Sequence, residues 1–344
     1  MAEKFRAAII GCGAIAERLH VPDYAVCPEA EIIAFCDVIP SKARALALRY
    51  APNARVYSNY KEMLKKEKPD GVTVALPNYL HAPVAIDALK AGCHVLVEKP
   101  MACSSAEARK MVETAKKAKK LLMVNQSQRR FSVHRKAKEI LDSGILGKIL
   151  HVTGQFGHEG PENWSPTGKW FFKKKEARFG AMADLGVHKA DLIRFLTGKE
   201  IAHISAYMTN LEKKNSTVDD NLVSCFTFTD GTVGTLCASW TVKGMDASYT
   251  IFHCANGTLQ VALQEDMPLI ARLKNPECEI IFEVPAPLNN YPGTWGVDVS
   301  GGFVRAALGL EKPYCSGEEG RKSLEVILAA EKSALTGRSV AVQK

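Results

Sequence analysis

The sequence predicts an α/β protein in two parts: an N-terminal doubly wound parallel sheet, then an α+β half built on a large, mostly antiparallel, open-faced sheet. Three observations predict it. Short apolar runs alternate with helix-patterned stretches over the first 124 residues, as parallel βαβ units require. From Asn125 that rhythm breaks, and after Gly198 alternating segments are joined by Asp230-Gly231 and Asn256-Gly257, dipeptides suited to tight hairpins. Finally, 344 residues exceed one ordinary domain, and 47% hydrophobic residues can fill a sizeable core.

The first element is Phe5 to Ala16, FRAAIIGCGAIA. Ala7 to Ile10 form a short apolar run, and Gly11-Cys12-Gly13-Ala14-Ile15-Ala16 follows without a spacer, which reads as a buried strand turning directly into a helix. Gly11 permits the tight turn, Gly13 lets backbone approach a pyrophosphate, and Ala16 lets the helix lie close on its strand. The amides of Ala14 and Ile15, at the helix N-terminus, would face the phosphates. An acidic partner is expected about 20 residues on, and Glu31 to Asp37 supplies it: a second strand ending in Asp37, placed to bind the adenosine ribose. This is a Rossmann dinucleotide site. Asp37 favours NAD, because a carboxylate repels a 2′-phosphate, while Lys42 and Arg44 close behind leave NADP possible.

The alternation continues with a helix over 41–50, a strand at 55–57, a helix over 60–68 and a buried strand, Gly71 to Leu76. At its end come Pro77-Asn78-Tyr79-Leu80-His81 and an Ala-rich helix closed by Gly92. Asn78 could cap that helix, contact the nicotinamide ribose, or do both. Cys93 to Val97 is the fifth strand, and Glu98-Lys99-Pro100 follows it. A lysine before proline is held extended or in a turn at the sheet's carboxyl edge, where open α/β sheets bind ligands. A helix over 104–120 and a strand over 121–124 complete six strands.

Composition narrows the classes of function. No apolar run reaches the ~18 residues of a membrane span, and the N-terminus does not read as a signal peptide, so a cytoplasmic protein is expected. The net charge is 45 − 37 = +8. Its basic clusters lack the interleaved aromatics of a nucleic-acid surface, and a basic balance suits an anionic cofactor. The ten cysteines are scattered without a Cys-x-x-Cys pair, and Cys12, Cys36, Cys93, Cys225 and Cys237 read as buried free thiols.

The glycine loop, the Pro77 to His81 run and Glu98-Lys99-Pro100 together resemble the glucose-fructose oxidoreductase, inositol dehydrogenase and rhizopine-catabolism (Gfo/Idh/MocA) family of NAD(P)-dependent oxidoreductases, over nearly the whole chain. The resemblance implies that Pro77, Asn78, His81, Glu98 and Lys99 belong to the cofactor site. It places Lys99 beside the nicotinamide and the substrate hydroxyl as a catalytic residue, and suggests a cis Lys99–Pro100 bond. It also makes Arg130 and His158 hydroxyl or anion contacts of the substrate, although an arginine at a helix entry equally suits an ion pair.

In the second half a helix is expected over 133–143 and a strand over 149–156. The segment Gly180 to Gly198 follows. Leu185, His188, Leu192 and Phe195 recur at helical spacing, and Asp184 and His188, four apart, share one face. A carboxylate near an imidazole raises its pKa and fixes its orientation, which suits a general base. The pair could equally be structural; a metal half-site lacks a third ligand, and no metal is expected. The segment resembles the family's glycine-rich Asp-x-Gly-x-His signature, which implies that Asp184 and His188 act with Lys99, on catalysis and on substrate. Ala181-Met182 stands where further glycines are usual, and Met182 is expected to narrow the pocket.

Strands are then expected over 201–208, 222–228, 232–240, 248–254, 258–263 and 279–284, with Asp219-Asp220-Asn221 capping one of them and helices over 301–310 and 321–336. The open sheet face is expected to pair with a second copy, giving a homodimer or homotetramer. The expected domains are 1–124 for the dinucleotide, 125–320 for substrate and oligomerisation, and a C-terminal helix and tail, 321–344, packing back on the first domain. The function expected is hydride transfer between nicotinamide and a secondary alcohol carbon of a sugar, polyol or glycoside. The alternatives are a lyase or glycosidase using transient oxidation, and a non-enzymatic NAD-binding regulator.

Overall fold

A computed structural model describes residues 3–165, 168–245, 247–262, 268–284 and 297–343. The chain divides into two compact units, Met1–Arg130 with Pro287–Arg321, and Phe131–Ala286 with Lys322–Lys344.

Unit 1 carries β1 (Phe5–Ile10), β2 (Ala30–Cys36), β3 (Arg55–Tyr57), β4 (Gly71–Val74), β5 (His94–Val97) and β6 (Leu122–Val124) in one sheet of order β3-β2-β1-β4-β5-β6. Every pairing in it is parallel. Chain reversal between β1 and β4 places the switch point of a doubly wound sheet at the carboxyl end of β1. The strands are short and almost wholly apolar because helices cover both faces of such a sheet. All four residues of β4 are buried. Between strands run α1 (Val21–Ala25), α2 (Pro40–Tyr50), α3 (Tyr60–Glu67), α4 (Asn78–Lys90) and α5 (Ser105–Ala118). In α4 the buried Ala82, Ala85 and Ala88 let the helix lie close on its strands.

Unit 2 opens with α6 (Ser132–Asp142) and β7 (Ile149–Gly157), then α7 (Lys174–Ala177) and α8 (Val187–Thr197). Next come β8 (Ile201–Thr209), β9 (Asn221–Phe228), β10 (Val233–Ser239), β11 (Ala247–Cys254), β12 (Gly257–Val261), β13 (Leu269–Lys274) and β14 (Glu277–Ile281). Pro287–Arg321 brings α9 (Val299–Ala307) to unit 1, where Phe303 packs edge-on against Phe5. The last helix, α10 (Gly317–Thr336), gives residues 317–321 to unit 1 and the rest to unit 2, and β15 (Val340–Ala341) ends the described chain. The nine-stranded sheet has the order β14-β13-β12-β11-β7-β10-β9-β8-β15, antiparallel except for β7 beside β10. Leu192, Ile193 and Leu196 of α8 and Ile327 and Ala330 of α10 pack with Leu222, Leu236 and Phe252 in its core. Each such leucine, isoleucine or phenylalanine contributes about 1.5–3 kcal/mol by leaving water. Outward-facing Tyr207, Val223 and Val233 are exposed.

Several details differ from expectation. β13 was not expected, since Leu-Ile-Ala-Arg-Leu-Lys does not alternate cleanly. The strand expected over 258–263 stops at Val261, with Leu263 outside the described residues. Cys225 is not buried: the pleat of β9 turns it to the outward face beside Val223. Met182 packs fully buried in the core cluster of unit 2 instead of narrowing a pocket, because the chain entering α8 turns its side chain inward. Among the described residues no helix is long and apolar enough to cross a membrane.

Candidate active site

In unit 1 the glycine turn closes as its sequence predicts. Gly11 sits at φ +96°, and a Cβ there would lie 2.2 Å from the Ala75 carbonyl oxygen, so only glycine fits. A Cβ at Gly13 would meet nothing within 4 Å, which leaves the turn open for a phosphate group. Beyond it the helix holds a π-type turn over Ala16–His20, closed by Val21 N donating to the Ala16 carbonyl. Asp37 directly follows β2 with both carboxylate oxygens engaged, one accepting from Cys12 N and the other from Ile39 N, each at 2.8 Å. The carboxylate expected to meet the adenosine ribose is thereby locked to the glycine turn. Open space at Gly13 and a fixed, half-exposed Asp37 fit a dinucleotide.

The Lys99–Pro100 bond is cis, as the resemblance suggested. Glu98 is 6% exposed. Its Oε1 accepts from His20 Nε2 at 2.7 Å and from Asn125 Nδ2, and its Oε2 accepts from Lys99 N. Burial pushes the Glu98 carboxyl up, but the His20 and Asn125 hydrogen bonds prevail and hold it down at about 2. His20 in turn lies 3.1 Å from Ser300 Oγ through Nδ1. Glu98 thus stays ionised and grips the backbone of half-buried Lys99.

His81 is buried with its two ring nitrogens 2.7 Å from the carbonyl oxygens of Pro100 and Leu76. It braces the loop after β4 against the Lys99–Pro100 turn, and burial lowers its pKa. Asn78 is the buried first residue of α4, one place past the cap position at Pro77. Arg130 adopts the ion-pair arrangement: Nε donates to the Val297 carbonyl, Nη1 to Glu311 and Nη2 to Asp298, each at 2.8 Å.

In unit 2 a second π-type turn, Met182–Gly186, carries Asp184 and leads straight into α8 with half-buried His188. Asp184 Oδ2 accepts from Trp240 Nε1 at 3.0 Å and stands 3.9 Å from His158 Nε2. Gly160 N donates to His158 Nδ1 at 2.9 Å, so the neutral ring carries its proton on Nε2, facing Asp184. The His188 ring lies 6.2 Å from that of Phe156. A cleft of about 450 Å³ opens at His158, lined also by Glu159, Asn163, Trp164 and Met245. An aromatic face among polar acceptors suits a hydroxylated ring.

Sequence reasoning missed four residues that hold this machinery: His20, Asn125, Trp240 and Asp219. The carboxylate of Asp219 accepts from Gly180 N and Met182 N, each at 2.7 Å, where a strand cap was expected. Burial raises its pKa to about 6 despite the two amides. It also missed Lys189, which is 1% exposed, donates to the Tyr249 carbonyl and Thr250 Oγ1 at 3.2 Å each, and is pushed down to about 7 by burial.

Comparisons with known proteins agree with this architecture. The D-glucoside 3-dehydrogenase of Escherichia coli is 35% identical over 195 residues, 56% of this chain and 54% of that protein, so the match spans about half the relative's length. The 1,5-anhydro-D-fructose reductase of Ensifer adhaerens is 27% identical, covering 83% of this chain and 84% of its own. The crystal structure of GenD2 from gentamicin A biosynthesis, in complex with NAD, has a TM-score of 0.85 at 25% identity and covers 100% of this chain and 98% of that one. Levoglucosan dehydrogenase in complex with NADH and levoglucosan superposes with a TM-score of 0.86 at 23% identity, over 99% of this chain and 100% of that one, a likeness of fold. Residues 5–126 match the oxidoreductase family with an NAD-binding Rossmann fold, and residues 134–260 match the GFO/IDH/MocA C-terminal domain. With both of the family's domains accounted for in order along one polypeptide, the chain belongs to the Gfo/Idh/MocA oxidoreductase family.

Proposed function

We propose that this protein is an NAD-dependent dehydrogenase acting on a secondary alcohol carbon of a sugar, polyol or glycoside. The observation that carries the reading is Lys99, fixed after β5 at the sheet's carboxyl edge by an ionised, buried Glu98. A binding protein has no need of a lysine whose backbone is anchored there by an ionised carboxylate. Bound NAD would supply the hydride acceptor. In the oxidation direction His188 takes the hydroxyl proton, Asp184 orients and charge-compensates it, and Lys99 stabilises the developing alkoxide. In the alternative assignment the two exchange roles, with Lys99 as the base and His188 on the alkoxide. Asp37 supports NAD over NADP. The relatives' activities on glucosides and an anhydro-sugar, and the cleft at His158 with its tryptophan and carboxylate, support a carbohydrate-like substrate.

A panel of sugars, polyols and glycosides, followed by NADH absorbance, tests the reading. Net NADH from at least one member is expected, and NADH from none overturns it. For the assembly, Tyr207, Val223 and Val233 support a homo-oligomer formed through the outward sheet face. Light scattering should then find a dimer or tetramer that Tyr207→Lys splits; a wild-type monomer contradicts it.

A further inference from the structure

Three consecutive amides of the chain entering the Asp184 turn end on one residue. Gly180 N and Met182 N donate to the Asp219 carboxylate at 2.7 Å each, and Ala181 N donates to the Asp219 carbonyl at 3.0 Å. The approach is so close that a Cβ at Gly180 would lie 1.7 Å from the Asp219 carbonyl oxygen. Asp184 N and Ala183 N in turn donate to the Gly180 carbonyl, at 2.9 and 3.1 Å. Displacing Gly180 therefore displaces Asp184.

A second route reaches Asp184 from the same dipeptide. The Asp220 carbonyl accepts from Trp240 N at 2.8 Å, and Trp240, fully buried, gives its indole N–H to Asp184 Oδ2. Asp220 itself is anchored by the amides of Leu211, Glu212 and Lys213 on its own carboxylate. Backbone at 219–220 so fixes Asp184 both through the start of its helical turn and through the indole that holds its carboxylate. A helix cap alone would require one acceptor for the first free amides, without the indole route.

We propose that Asp219 is a positioning residue for Asp184: its carboxylate sets the height and orientation at which Asp184 meets its proton-handling partners. The inference rests on the dehydrogenase reading above and deepens it. Displacement of a reacting group by about 1 Å costs on the order of a hundredfold in rate, so the clamp is worth that scale of turnover.

Asp219→Asn tests it, because the amide keeps the shape but turns one acceptor into a donor facing a donor. Expected are a kcat lowered about tenfold to a hundredfold, a KM and NAD affinity changed little, and a shifted indole N–H resonance of Trp240. That resonance is identified by its loss in Trp240→Phe. If the variant melts earlier but its folded fraction keeps kcat, or if the resonance stays in place, Asp219 is a structural cap and the proposal falls. Should Asp219→Asn not fold, Asp219→Ser, which keeps a single acceptor, is read by the same two measurements. A wild type that makes NADH from no substrate defeats the dehydrogenase reading alone, and the Trp240 resonance still decides whether Asp219 places Asp184.

Discussion

Glu98 in unit 1 and Asp219 in unit 2 do the same mechanical work with opposite electrostatics. Each is a buried carboxylate accepting backbone amides from the segment that carries a candidate catalytic residue, and each stands near a π-type turn. Glu98 also has an imidazole and a side-chain amide against it, and it is held down at about 2. Asp219 has amides alone and is pushed up to about 6 by burial. Amide dipoles offset less of the desolvation cost than partners which can carry charge. Lys189 repeats the lesson with the other sign: a carbonyl and a hydroxyl do not keep its charge comfortable. Unit 1 thus stores its buried charge in a compensated network, whereas unit 2 leaves two groups that can titrate near neutrality.

The largest expected effects come from removing the residue each carboxylate serves. Lys99→Ala and His188→Ala should each lower kcat by about 10²–10⁴-fold while leaving NAD affinity, measured by titration calorimetry, within a factor of two or so. If both variants keep full turnover on the true substrate, the two halves do not share a reaction and the comparison loses its functional meaning.

Lys189 gives the next largest effect. Its folded-state pKa is depressed from 10.5 to about 7, so between those values the folded state holds fewer protons than the unfolded one. Stability therefore rises with pH across that window, and the penalty is complete below pH 7. The span corresponds to on the order of 5 kcal/mol, of which Lys189→Met recovers part, since the Tyr249 carbonyl and Thr250 hydroxyl lose their ammonium donor at a cost of about 1–3 kcal/mol. Denaturant unfolding at pH 6 should find the methionine variant more stable, with the advantage shrinking as pH rises above 7 and gone before pH 10.5. Equal stability at pH 6 would mean that water or relaxation already solvates the ammonium.

The contrast between the units also governs what could be read before any coordinates. Gly11, Gly13 and Asp37 were legible because turn chemistry and strand length fix their spacing locally. His20 and Asn125 were not, since each meets Glu98 across 78 and 27 positions, where no periodicity reports a contact. The π turns at Ala16–His20 and Met182–Gly186 left no mark in side-chain pattern, so Asp184 and His188 could be put on one helix but Trp240 could not be matched to Asp184. Nothing in the sequence singled out Lys189; Gly154 on β7 leaves it room, since a Cβ there would come 3.1 Å from Lys189 Cγ. Hydrophobic patterning likewise specified α9 as a helix without saying that residues 299–307 return to unit 1. Pattern announces an element's inward face, not the sheet it joins.

Acid stability sharpens the comparison further. Glu98 has a folded-state pKa depressed from 4.5 to about 2, so its contribution is complete above pH 4.5 and is lost as pH falls through that interval. At about 1.4 kcal/mol per unit, some 3 kcal/mol disappears. Wild type should lose stability between pH 5 and pH 2 more steeply than Glu98→Gln, whose neutral side chain has nothing to protonate. Parallel curves would show that the His20 hydrogen bond does not favour the ionised form.

The smallest effect, and the one confined most tightly to unit 1, is at Asp37. Its carboxylate is fixed by Cys12 N and Ile39 N, so it cannot swing away from an incoming 2′-phosphate. Exposed Lys42 and Arg44 in the first turns of α2 then supply cations whose attraction Asp37 cancels. Asp37→Ser keeps an acceptor for one amide and removes the negative charge. The ratio of NADP to NAD affinity should rise about tenfold, equivalent to about 1.4 kcal/mol, and the rise should shrink as salt screens the exposed cations. Because the change touches only the ribose end of the cofactor, the Trp240 indole resonance in unit 2 should not move. A variant that still rejects NADP would show that backbone geometry, not the Asp37 charge, sets the preference, and Lys42 and Arg44 would then be ordinary solvated residues of α2.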